Sequence, residues 1–113
     1  MGGRGLIAAA LGLLAGAASA AGPAKTVHVD LVCDAVYLPA RSNWVRTVRI
    51  TFDDQRVRAV TIDGQSVYTF NVQGTTLLTA LDNERIRIDT ATLSWHSDFR
   101  GLATAEGRCE RLD

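Results

Sequence analysis

The sequence predicts an all-β protein: a small antiparallel meander of seven or eight short strands, closing as a barrel or sandwich with one disulfide. Three observations predict it. Apolar residues alternate with polar ones through most of the chain after residue 25. The separators are short and rich in Asp, Asn and Gly, the residues that tight turns demand. No segment sustains an apolar stripe at the helical period of 3.6 residues.

Thr26–Cys33 is the first strand, with Val27, Val29, Leu31 and Cys33 on one face and His28 and Asp30 on the other. Asp34–Asn43 is the one longer connection, read as a loop or a helical turn. Trp44–Phe52 alternates in the opposite parity, through Trp44, Val48, Ile50 and Phe52. Arg56–Ile62, Ser66–Val72, Thr75–Leu81, Glu84–Asp89, Thr92–His96 and Leu102–Cys109 follow. Between them lie Asp53-Asp54-Gln55, Asp63-Gly64, Gln73-Gly74 and Asp82-Asn83. Pro23 and Pro39, the two prolines, fall outside the strands, where no ladder donor is lost.

The central hairpin admits two registers. A two-residue Asp63-Gly64 turn of type I′ pairs Val57 with Phe70 and Val60 with Val67. A three-residue loop through Gln65 instead pairs Val60 with Tyr68 and gathers Val60, Ile62, Tyr68, Phe70 and Val72 on one face. If Asp53-Asp54-Gln55 is also a three-residue loop, Val48, Ile50 and Phe52 join them. Burial of eight apolar side chains outweighs one preferred turn type, so the second register is expected. It also sets Arg46, Arg56 and Arg58 on the core face. Arginine is rarely buried unpaired. These guanidiniums therefore lie at an open barrel end or snorkel to water, or they form an anion-recognising mouth.

The start of the chain reads as an export signal. Met1–Arg4 carries one positive charge, Leu6–Ala17 is an uncharged apolar run too short to span a bilayer, and Ala18-Ser19-Ala20 supplies the small residues a signal peptidase needs. The expected organisation is a signal peptide over 1–20 and a single periplasmic or secreted β domain over 21–113. No cysteine sits at the cleavage point, so no lipid anchor and no membrane span are expected in the mature form. Without Arg4, the twelve basic side chains fall one short of the twelve acidic ones. That balance argues against nucleic acid or an anionic membrane as partner.

Cys33 and Cys109 are the only cysteines. In an oxidising compartment such a pair forms a structural disulfide, here one that ties the first strand to the last. Closing a loop of this length stabilises by roughly 4 kcal/mol, a large share of the roughly 5–15 kcal/mol typical of a domain. A redox pair is not expected without Cys-x-x-Cys, nor a metal site from two Cys and two His at scattered spacings.

Motifs for catalysis are absent: no Gly-rich phosphate loop, no His-Glu-x-x-His, no nucleophile elbow. Ser94, His96, Ser97 and Asp98 crowd together, but neighbours in a strand point in different directions, and a nucleophile, base and acid must converge. His28 and Asp30 share a face, which is two ligands and not a metal site. Asp53-Asp54 and Asp82-Asn83 serve turns. Trp44 and Trp95 are either anchors for a partner or covers for a barrel end.

A first strand ending in Cys33, the hairpin "IDGQSVYTF" and a last strand ending in "GRC" look like small bacterial periplasmic inhibitors of C-type lysozyme. The resemblance covers most of the mature chain in layout and few residues in detail. It implies a short, exported, eight-stranded barrel with a Cys near each end. The family's inhibitory Ser-Gly-x-x-Tyr segment is missing where this chain has "QGTTLLTALDNE", so no inhibitory residue carries over. The tail "RIDTATLSW…GRCERL" equally resembles that of other exported bacterial proteins.

The expected function is that of a non-catalytic exported β domain binding a protein or cell-envelope component, with no cofactor. The alternatives are a carrier of a small, anionic ligand in the barrel mouth, and a lysozyme inhibitor-like protein. The small residues Ala103, Ala105 and Gly107 of the last strand leave room for a cavity. The candidate contacts are Arg46, Arg56, Arg58, Trp44 and Trp95.

Overall fold

Alternation of apolar and polar side chains gives one antiparallel sheet of nine strands in a computed structural model that describes residues 26–112. The leader expected over residues 1–20 lies outside the described residues. The strands are β1 (Thr26–Leu38), β2 (Ser42–Asp53), β3 (Arg56–Ile62), β4 (Gln65–Ser66), β5 (Phe70–Gln73), β6 (Thr76–Leu81), β7 (Glu84–Asp89), β8 (Ser94–Phe99) and β9 (Ala103–Leu112). Their order is β4-β3-β2-β1-β9-β8-β7-β6-β5. Every strand after β1 neighbours its predecessor in sequence except β5, which does not pair with β4; β1 and β9 are the one non-consecutive pair of neighbours in this order.

Three residues, 67–69, carry the chain from one edge of this sheet to the other. Four residue steps span about 14 Å at most, so the two edges must face each other. The sheet is therefore curled into a half-barrel, with its hydrogen bonding interrupted between β4 and β5. The nine strands exceed the expected seven or eight because Ser66–Val72 is not one strand. Its first residues bond to β3 and its last to β6.

The core fills the concave face. Leu31, Val48, Ile50, Val60, Ile62, Leu77, Ile86, Ile88 and Trp95 are buried there. Val48 stands opposite Ile62 and Ile50 opposite Val60, so apolar residues meet across the β2–β3 pair. Cys33 and Cys109 are direct cross-strand partners and form the disulfide, joining first strand to last across 76 residues of sequence.

Turn chemistry decided the registers. Asp54-Gln55, Asp63-Gly64 and Asp82-Asn83 each close a two-residue hairpin with positive φ at both positions (53° and 71°, 52° and 83°, 52° and 69°). The three-residue loop through Gln65, expected on grounds of burial, does not form. Thr61 pairs with Ser66 and Ile62 with Gln65, and Val67 N–H donates to Val60 C=O at 3.1 Å. The burial advantage never arises, since the chain leaves β3 after Val67 and Tyr68 is 100% exposed. Likewise Asp34–Asn43 is no loop or helical turn. β1 runs on to Leu38 against β9, leaving only Pro39–Arg41 as the turn.

Candidate functional site

The turns 39–41, 63–64, 82–83 and 100–102 gather at one end of the half-barrel, here called upper; 54–55, 74–75 and 90–93 gather at the lower end. Alternation along β2 places Arg46 on the same concave face as Val48 and Ile50, near the upper end. β1 contributes Tyr37, β7 its first residue Glu84, β8 Trp95, and the β3–β4 turn Asp63.

These five side chains form one cluster. Arg46 Nε donates to Asp63 Oδ2 at 2.7 Å, and Nη1 donates to Glu84 Oε1 at 3.0 Å. Tyr37 Oη donates to the other oxygen of Glu84 and accepts from Arg46 Nη1. The guanidinium carbon lies 4.9 Å from the centre of the Trp95 ring, and Trp95 Nε1 donates to Ser97 Oγ at 3.0 Å. Asp63 also clamps its own turn: its Oδ1 accepts from Thr47 N–H at 2.9 Å, while its N–H donates to Thr47 C=O at 2.8 Å. The side chains of Arg46 and Glu84 are only 12% and 10% exposed. Burial opposes the charge of Arg46, yet its bonds to Glu84 and Asp63 outweigh burial and hold its pKa above the ordinary value. Burial, then the bond to Glu84, raises the pKa of Tyr37.

Arg46 is therefore turned toward two carboxyl groups and not toward an incoming anion. The other candidates lie elsewhere. Arg58 is the extra residue of a β-bulge, since Thr51 pairs with Ala59 and Phe52 with Val57. Its side chain is exposed and lies 3.6 Å from Asp53. Arg56 stands exposed at the lower end, so the three arginines do not share one mouth. Trp95 is fully buried and presents no surface to a partner. It sits in register between Ile88 and Gly107, so the space beside the small residues of β9 faces its indole.

Ser94, His96 and Asp98 point to the convex face, whereas Ser97 points inward to Trp95. The four do not converge. Among the described residues no three His, Cys, Asp or Glu side chains come together. His28 bonds to Thr51, and Asp30 takes both of its bonds from Arg49, at 2.8 and 3.2 Å.

Of the two candidate tryptophans Trp44 is the one that stays accessible, at 61% exposure, beside Val45 at 62%. β2 is twelve residues long, but β3 begins to cover its edge only at Val48, opposite Ile62. Since Thr47 directs its N–H and C=O toward the β3 side, alternation aims those of Val45 and Asn43 the same way, into open space. Among the described residues Ser42–Arg46 is thus a free strand edge with Trp44 on one side and Val45 on the other. Val36, Leu38 and Leu102 are further exposed apolar residues of this upper end. Composition did not reveal this edge, because it depends on where β3 stops. Among known proteins, no family model, no curated protein and no solved structure matches this chain.

Proposed function

We propose that this chain is an exported, non-catalytic binding domain that takes an extended segment of a partner protein, or of a protein component of the cell envelope, along the free edge of β2. The observation that carries this reading is the uncovered edge Ser42–Arg46, bearing an exposed Trp44 and Val45. An added strand gains main-chain hydrogen bonds from such an edge, and the side chains on either side select its sequence. Trp is also the residue type most enriched at energetic centres of interfaces. The Cys33–Cys109 bridge is compatible with work in an oxidising compartment.

The test is capture from an envelope extract with immobilised, oxidised domain, comparing the parent with Val45→Pro and Trp44→Ala. Proline at 45 removes a donor that faces open space, so β1–β2 pairing survives. The parent should retain a partner that both variants lose, with unchanged circular dichroism. Retention of the same proteins by all three would sink the proposal.

A further inference from the structure

The break in the sheet at residues 67–69 leaves a second feature at the lower end, independent of the β2 edge. Among the described residues, the edge of β3 below Val60 has no partner, and neither has the outer edge of β5. Between them opens a cavity of about 420 Å³, within the roughly 300–1,000 Å³ of small-ligand sites. Its floor is made by Ile50 and Leu77, both core residues, and its sides include Val57 and Val72. Among the described residues Arg56 is the one charged side chain that lines it; the remaining polar lining is neutral, chiefly threonine hydroxyls. Among the described residues Arg56 makes no ion pair within 4.0 Å.

An apolar floor reaching the core, with a single unpaired guanidinium at the rim, matches one ligand chemistry. We infer that this opening binds a single-chain amphiphile with an anionic head: the alkyl chain lies on Ile50 and Leu77, and the carboxylate or phosphate faces Arg56. Burial of the chain supplies affinity, and the guanidinium supplies selection for an anion. Free fatty acids and anionic lipids share this chemistry.

Calorimetric titration with dodecanoate, kept below its micelle concentration, tests the inference. The parent should bind one equivalent saturably. Arg56→Gln should weaken dodecanoate about tenfold and change dodecanol binding less than twofold. Val72→Asp, at a half-exposed position of the wall, should abolish dodecanoate binding while circular dichroism stays unchanged. No saturable binding by the parent, or equal binding by all three proteins, overturns the site. Binding to phosphatidylglycerol vesicles without binding of monomeric dodecanoate overturns it too, by assigning the contact to a membrane surface.

Discussion

At the scale of single residues, the buried cluster is a problem in polar satisfaction. A guanidinium removed from water has several donors to place, and a buried carboxyl group needs each oxygen occupied. Arg46, Glu84, Asp63 and Tyr37 answer these demands mutually, with the face of Trp95 beneath the cation. Removing one member leaves its partners unsatisfied. Tyr37→Phe should cost about 1–3 kcal/mol in urea unfolding at pH 7. It should also change the alkaline limb of stability. Tyr37 ionises above its ordinary value of 10.0 in the folded protein, through burial and its bond to Glu84. The unfolded chain therefore loses this proton first. The contribution is complete below about pH 10 and falls away as pH rises through the raised value. Comparing unfolding midpoints of parent and variant between pH 8 and 11 should show a steeper decline in the parent. Parallel curves would remove Tyr37 from that role.

At the scale of elements, the readable part of the sequence was local. Asp63-Gly64 and Asp82-Asn83 name their turns because Asp, Asn and Gly tolerate positive φ. Alternation also put Leu31 and Cys33 on one face of β1, and Val48 and Ile50 on one face of β2. Val60 meets Ile50 through the bulge at Arg58, not through the expected three-residue loop over Asp53-Asp54-Gln55. Glu84 was equally readable, being in phase with the buried Ile86 and Ile88. What was not readable depended on distant chain. Arg46 lies 38 residues from Glu84, and nothing local to either names the other. The pattern Val67, Tyr68, Phe70, Val72 suits a continuous strand, yet curling of the sheet splits it between two partners. The close approach of β1 and β9 at Gly107 is also non-local. A Cβ on Gly107 would lie 1.7 Å from the Asp34 carbonyl oxygen across the β1–β9 pair, an overlap with backbone that no rotamer relieves. Gly107→Ala should therefore destabilise by about 3 kcal/mol or more, read from urea unfolding with the disulfide intact. A loss below 0.5 kcal/mol would mean that the two strands separate easily.

At the scale of the whole molecule, the meander has one covalent join and one interruption. The join is the β1–β9 pair with its disulfide; the interruption lies between β4 and β5, where the order of paired strands stops and residues 67–69 carry the chain across. Tyr68, fully exposed, is the accessible aromatic residue at that point. Limited chymotrypsin digestion should cut after Tyr68 and leave two pieces, β1–β4 and β5–β9, each holding one half-cystine. A non-reducing gel should show a single band at the parental position, and a reducing gel two fragments. Two fragments without reductant would contradict the pairing of Cys33 with Cys109.

The same arrangement makes sequence order separable from architecture. Because Leu112 pairs with Asp30, four residues from Thr26, the strands at either end of the described chain lie side by side. A short linker from residue 112 to residue 26, with new termini opened at Tyr68, writes the same sheet as a strand ladder running without a break from β5 through β9 and β1 to β4. The present chain begins its ladder in the middle; the permuted one would begin it at an edge.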